Sequence, residues 1–381
     1  GAPVAITAAI LVGLGFKPLQ AAAVCLVANI SGGAYGAMGI PVTVPANLTD
    51  LDALTLGKNT SLILCLITII VTFLIVFMVD GFKGIKETFP AILVSGGSYT
   101  ITQFIFLNFV GPELVNVSSA IVSLLSLILF LKFWKPKKIL CSENKVLQKN
   151  VESLTTKKII RAWTPFILLT LFVTILNTAF FKQLVQGANP KTGQKAGILN
   201  SLIFNFPFYI NGEVSRISPI VKEPTPIKAI FSFAPFTSTT SAIVLAAILT
   251  VIFFKVKNRI VLLTLKETAL ELWAPILTIC SVLGFAYIST YSGVSSTLGL
   301  ALANTGKIFP LFSPILGWIG VFLTGSVVNS GSLFAGLQSV TASQIGVDSS
   351  LLVASNIMGG AIAKMISPQS IAVAAAAVGL I

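Results

Sequence analysis

Residues 61–79 read SLILCLITIIVTFLIVFMV, nineteen residues in a row without a charge. At about 1.5 Å of rise per residue, that is enough helix to cross the roughly 30 Å hydrocarbon core of a bilayer. Inside lipid no water satisfies the backbone, so only helices or a sealed barrel can span. Barrel strands alternate apolar and polar side chains, and this run does not. Similar runs lie near 89–109, 114–134, 162–181, 238–254 and 268–290. Only 10% of the 381 residues are charged, against about a quarter in soluble domains, and the mean hydropathy is +0.95. The expectation is an all-α polytopic membrane protein whose single transmembrane domain covers 1–381.

The formal net charge of +13 invites a nucleic-acid reading, but its distribution argues against one. Nine basic residues fall between Lys132 and Arg161, and a second basic loop, 255–266, holds Lys255, Lys257, Arg259 and Lys266. Short basic loops between spans mark the cytoplasmic side of a membrane protein. Two crossings separate 132–161 from 255–266, so both can face the cytoplasm, together with Lys83 and Lys86. The segment 41–60, with Asp50 and Asp52 against Lys58, then faces outward. The partner implied is a lipid bilayer rather than nucleic acid.

Four scattered cysteines (Cys25, Cys65, Cys141, Cys280) form neither a disulfide framework nor a metal-ligand spacing. The chain has no histidine, which excludes a His-based metal site, proton relay or catalytic triad. Nothing pairs a nucleophile with a base, no cofactor is implied, and an enzyme is not expected. The chain opens on GAPVAITAAILVGLG without an initiator Met, which reads as an N-terminal truncation.

One phrase recurs. Residues 29–41, NISGGAYGAMGIP, return as 356–368, NIMGGAIAKMISP, with seven identities in thirteen. Both copies set Asn, Gly-Gly and Pro in an apolar context, and an apolar stretch precedes each, at 6–16 and 337–347. Each half reads as a helix, a short turn and a second helix interrupted at the double glycine. Repeats with broken helices at corresponding positions mark secondary transporters, whose half-helix ends build a site at the bilayer midplane. The expected organisation is a first half-site at 1–41, scaffold helices over 61–290 and a second half-site at 311–381. The scaffold carries the basic loop 132–161 and a polar loop, 182–237. Within that loop, 198–210 is too short to span and reads as interfacial or re-entrant. Whether the repeats are inverted or parallel is not decided by the letters.

Several residues stand out as candidate substrate ligands. Lys364 lies among apolar residues just past the second break. It is either a lysine snorkelling from a helix end or a counter-charge for an anion, and no carboxylate lies nearby in sequence. Where a helix restarts, the backbone N–H groups at Gly32–Gly33 and Gly359–Gly360 can hold a carboxylate; paired glycines also permit close helix packing. Asn29 and Asn356 either bond substrate or cap backbone. Thr324, Gly325, Ser326, Asn329 and Ser330 read as the tip of a re-entrant hairpin or as polar packing between helices. Gln103 and Glu113 are lesser candidates, with Glu113 at a membrane edge.

The stretches GAPVAITAAILVGLGF, TQF…GPEL, YSGVSSTLGLALANTG, FPLFSPILGWIGVFLTGS, LFAGLQ and KMISPQSIAVA, spread from one end of the chain to the other, resemble the L-lactate permease family. The resemblance implies a multi-pass plasma-membrane carrier that moves lactate, often glycolate, and is typically coupled to protons. It implies inverted repeats with hairpins and broken helices, and further helices ahead of residue 1. It also implies an acidic residue after Thr-Gly-Ser, where this chain has Val327, so proton symport is open to question. Carriage of another organic or inorganic anion, or uncoupled facilitation or exchange, remain the alternatives.

Overall fold

The computed structural model describes residues 2–36, 38–136, 156–177, 181, 204–208, 210–218, 224–227, 229–233 and 239–380. These residues are overwhelmingly helical. Four helical stretches, Ala53–Phe109, Val115–Phe133, Gly306–Thr324 and Ser349–Ala377, are long and apolar enough to cross a membrane. A fifth candidate, Ile276–Tyr291 with Val294–Ala303, is bent by 69°. The chain divides into two compact units, 1–150 with 280–381, and 151–279.

In chain order the first unit holds α1 (Ala2–Gly13), α2 (Pro18–Gly33), α3 (Ile40–Thr49), α4 (Ala53–Phe109) and α5 (Val115–Phe133). The second unit contains α6 (Thr156–Asn177) and α7 (Thr239–Phe253), which pack on each other. Between them, strands Phe204–Pro207 and Ile230–Phe233 pair antiparallel, as do Ser215–Arg216 and Thr225–Pro226. Within 198–210, expected to be interfacial or re-entrant, the described residues include the strand Phe204–Pro207. The remaining polar stretch 187–197 and most of the basic loop 132–161 lie outside the described residues. Helix α8 (Asn258–Tyr291) leads back to the first unit, which continues with α9 (Val294–Ala303), α10 (Phe309–Thr324), α11 (Val327–Ile345), α12 (Ser349–Ala363) and α13 (Pro368–Ala377).

Helix α4 contains two of the expected spans. The helical run turns at Asp80 and at Gly81, where φ is 61° and ψ is −155°. Only glycine takes that conformation without strain. The halves then pack antiparallel: the Thr68 hydroxyl donates to Gln103 Oε1 at 3.4 Å, and a Cβ on Gly96 would lie 3.1 Å from Thr72 Oγ1. Asp80, Lys83 and Lys86 thus sit at the tip of the hairpin, while Asp52 and Lys58 sit at its open end. Asp52 caps the helix there. The Thr55 hydroxyl and amide hold its carboxyl below the usual carboxylate range, so this cap is retained until the pH falls through that lowered value.

The α4 hairpin also fixes the sense of the repeats. Gln20, at the start of α2, donates to the carbonyls of Met78 and Val79 at 3.3 and 3.5 Å, near the tip. Asp348, the cap of α12, accepts from Asn59 at 3.5 Å, near the open end. Nineteen residues of helix, about 28 Å, separate Asn59 from Met78. The α1–α2 turn and the α11–α12 turn therefore lie at opposite ends of one rod, so the two copies run in opposite senses across the membrane. Their contacts fall into exchange-related pairs: α1 on α13 and α11 on α3, α2 on α13 and α12 on α3, with α2 on α12 as its own counterpart.

The breaks are displaced from where the sequence suggests. Gly32–Gly33 are the last residues of α2, and Gly359–Gly360 lie inside α12; the interruptions follow at 34–39 and 364–367. The second glycine pair serves close packing. A Cβ on Gly359 would fall on the Pro314 carbonyl, and one on Gly317 would fall on the Asn356 carbonyl, so α10 and α12 touch backbone to backbone. Gly32 has room: a Cβ there meets only Asn116 Nδ2, at 3.7 Å. Gly359→Ala is therefore expected to destabilise the protein by about 1–3 kcal/mol, and Gly32→Ala to stay within about 0.5 kcal/mol. Thermal unfolding in detergent separates the two, and equal shifts would contradict this packing.

Candidate functional site

Where α2 ends, the first unit has an open cavity of about 270 Å³. One wall is the last two turns of α2, with Ala28, Asn29, Ser31 and Gly32. Thr68 and Thr72 come from the first half of α4, Ser95, Gly96 and Tyr99 from the second, and Ser123 from α5. Thr68 is fifteen residues from Ala53, about 22 Å along the helix, so the cavity lies deep within the hairpin's length.

The wall is a set of aligned hydroxyls. Ser123 Oγ donates to the Ser95 carbonyl at 2.8 Å, which leaves Ser95 as the donor in the 3.1 Å Ser95–Ser123 contact. Thr72 Oγ1 donates to the Thr68 carbonyl at 2.8 Å, and Tyr99 donates to Asn116 Oδ1 at 3.3 Å. Behind this wall Thr100 Oγ1, Gln103 Nε2 and Ser119 Oγ are buried without a partner, as is the Tyr35 hydroxyl at the break. A buried group in that state costs about 1–3 kcal/mol. This marks the region as polar beyond what packing requires.

The related residues of the second copy have another fate. Asn356 is 1% exposed and donates to the Ser313 carbonyl at 3.4 Å, whereas Asn29 is half-buried at the edge of the cavity. Ser330 is 1% exposed and donates to the Gly317 carbonyl at 3.0 Å. Asn329 is buried with its side-chain oxygen unpartnered. Helix α10 has filled this side with backbone.

A tight turn at Gly325–Ser326, where a re-entrant tip is expected, joins α10 to α11. Gly325 closes α10 in the left-handed region (φ 67°), and Ser326 caps α11 by accepting the Asn329 amide at 3.3 Å. Thr324 spends its hydroxyl on the Gly320 carbonyl at 2.7 Å. A Cβ on Gly325 would collide with Gln369, so the tip sits against the first turn of α13. Val327 is 3% exposed within the main apolar cluster.

Lys364 caps the end of α12, its amide bonded to the Gly360 carbonyl at 3.2 Å. A Cβ on Gly33 would lie 3.7 Å from Lys364 Cδ and equally close to the Ala361 carbonyl. The carboxyl ends of α2 and α12 therefore converge, with the lysine stem between them. Among the described residues no carboxylate pairs with Lys364. The expectation of free N–H donors at Gly32–Gly33 and Gly359–Gly360 is corrected, because those amides belong to the helices that end there. The local helix charge is partly negative, and Lys364 is placed to oppose it.

Of the expected ligands, Asn29 and Gly32 line the cavity, while Gly33 and Lys364 meet where α2 faces α12. The rest form the α10–α12 packing and the α10–α11 turn. Sequence reasoning passed over Ser31, Thr68, Thr72, Ser95, Tyr99, Asn116 and Ser123. A signal was there: Thr68 and Thr72, Ser95 with Tyr99 and Gln103, and Ser119 with Ser123 are each spaced by four, one face of a helix.

A family model described as L-lactate permease matches residues 1–381. An L-lactate permease of Escherichia coli (strain K12) is 48% identical over 387 residues, covering 100% of this chain and 69% of that protein. The glycolate permease GlcA of the same strain is 45% identical over 398 residues, with the same two coverages. An L-lactate permease of Bacillus subtilis (strain 168) is 40% identical over 397 residues, again covering 100% and 69%. No solved structure matches.

If the cavity holds water, Ser31→Cys will react with a water-soluble thiol reagent at least about tenfold faster than the native Cys25, which is 4% exposed. Mass spectrometry of the labelled peptides reads both rates in one sample, and equal rates would mean a closed, dry wall.

Proposed function

The chain belongs to the L-lactate permease family, whose members are transporters and not enzymes, and from that premise we propose that it carries a small 2-hydroxy monocarboxylate, L-lactate or glycolate, across the plasma membrane together with a proton. The observation that carries this reading is the convergence of two oppositely directed helix ends, one of which lines a polar cavity along the α4 hairpin. At about 270 Å³ the cavity lies below the usual range for drug-sized ligands, as suits an acid of two or three carbons. The relatives named for L-lactate and glycolate support the same size class.

On this reading the substrate sits against Asn29, Ser31 and the Ser95–Ser123 pair, which hydrogen-bond its hydroxyl and carboxyl. Lys364 supplies the charge opposite its carboxylate from beside Gly33. Thr324, Gly325, Ser326 and the turn at 364–367 form the second half-site, which closes over the ligand as the repeats rock against the scaffold. The tip of the α4 hairpin, with Lys83 and Lys86, faces the cytoplasm with the basic loops 132–161 and 255–266, and the open end with Asp50, Asp52 and Asp348 faces outward.

Val327 favours a second reading. The family resemblance implies an acid there, and an apolar, 3% exposed side chain stands in its place. Uncoupled facilitation or exchange of lactate is the alternative, followed by carriage of a different anion.

Uptake of radiolabelled L-lactate into proteoliposomes, with and without an imposed inward proton gradient, decides between them. Stimulation by the gradient is expected. Uptake indifferent to it selects the uncoupled reading, and no uptake by folded protein overturns lactate as the substrate. Lys364→Ala is expected to raise the KM for lactate about tenfold or more, the scale of losing one charge-assisted hydrogen bond of about 1.5–3 kcal/mol. Unchanged affinity would remove Lys364 from the site.

A further inference from the structure

At the end of α2 the Gly36 amide closes a last turn on the Gly32 carbonyl at 2.9 Å. One side chain from another element adds to this. Asn116, in the first turn of α5, donates from Nδ2 to the Gly32 carbonyl at 2.8 Å and also to the Gly36 carbonyl. Those carbonyls bracket the end of the helix, and Gly36 lies in the left-handed region at φ 59°. A second point of attachment comes from the same stretch of chain. Gly39, at φ 69°, packs so tightly on Pro112 that a Cβ would lie 2.8 Å from the Pro112 carbonyl. The loop before α5 and its first turn therefore hold the break between α2 and α3 at two points.

The other end of the Asn116 amide leads to the cavity. Its Oδ1 accepts from the Tyr99 hydroxyl at 3.3 Å, and Tyr99 lines the cavity. Two carbonyls on one side and a hydroxyl donor on the other leave only one sensible orientation of the amide. Tyr99 has a single proton to donate. At 3.3 Å its bond to Asn116 is long for O–H···O, and a carboxylate offers a stronger, charge-assisted alternative.

Building on the substrate reading above, we infer that Tyr99 and Asn116 are positioning residues that couple occupancy of the cavity to the break in α2. In the empty cavity Tyr99 holds the amide of Asn116, and Asn116 holds the carbonyls of Gly32 and Gly36. When a carboxylate enters, the Tyr99 proton turns to it, the amide is freed, and the end of α2 becomes free to move. The ligand thereby favours the state in which the clasp is open, because it interacts differently with the two states.

Three variants in proteoliposomes test this, each with its thermal melting curve. Tyr99→Phe keeps the ring and removes the proton that holds the Asn116 amide and that would turn to the carboxylate. It is expected to raise the KM for lactate about tenfold and to leave the melting temperature within a few degrees. Asn116→Asp keeps the shape of the side chain but turns an acceptor toward two carbonyls, and Asn116→Ala removes the cap. Both are expected to lower Vmax/KM at least tenfold, with Asp as damaging as Ala. If Asn116 only fills space, Asp will behave like wild type and Tyr99→Phe will change nothing, and that pair of results overturns the inference. If the Asn116 variants do not fold, the KM of Tyr99→Phe decides alone. Failure of the substrate reading looks different, since wild-type protein would then take up no lactate.

Discussion

A helix that stops within a membrane is possible only if something other than water takes up its free backbone groups. The architecture of the first unit follows from meeting that requirement twice. At the end of α12 the chain meets it locally: the Lys364 amide bonds back to Gly360, and Ser367 restarts the helix by accepting the Ser370 amide. At the end of α2 the Gly36 amide also reaches back to the Gly32 carbonyl, at 2.9 Å, but the glycine-rich turn that follows is longer. A side chain from α5 adds to the local bond: Asn116 donates to the Gly32 carbonyl and to that of Gly36. The cavity lies where α5 and the second half of α4 meet the end of α2.

The two copies of the repeat show how the same letters acquire different jobs. Asn29 and Asn356 are identical in type and register, as are the glycine pairs. In the second copy α10 lies directly on Gly359, and Asn356 is fixed to the Ser313 carbonyl. In the first copy the corresponding face of α2 looks toward hydroxyls. A seven-in-thirteen identity therefore preserves a backbone shape, a helix that ends in small residues and restarts near a proline, more than it preserves a ligand set.

This explains what was legible in advance. The helical membrane fold follows from runs such as 61–79, and the turn at Asp80–Gly81 falls in the gap between two of them. The turn at Gly325–Ser326 also lies where a glycine and a capping serine interrupt an apolar run. The site was harder to see. Lys364 and the double glycines are conspicuous because they are rare in such runs, while the cavity wall is built mainly of serines and threonines common in any membrane helix. Their four-residue spacing shows that they share a face. It does not show which neighbouring helix that face meets, because Thr68 meets Gln103 only through the hairpin at Gly81. The position of the break was misjudged for a related reason: glycine permits both a break and a close approach, and only the Pro314 carbonyl over Gly359 distinguishes them.

Electrostatics ties the converging helix ends to the question of coupling. Each carboxyl end carries the equivalent of about −0.5 charge, so the ends of α2 and α12 together come to about −1. Lys364, at +1, roughly cancels them. A site of this kind is close to neutral when empty, and a carboxylate entering alone would leave it at about −1 in a medium that penalises net charge. A carboxylate that arrives with a proton restores neutrality. This balance does not require an acidic side chain at position 327, because the lysine and the two helix ends already set it. Proton coupling and an apolar Val327 are compatible on these terms, provided that the proton is held by the substrate or by the groups around it.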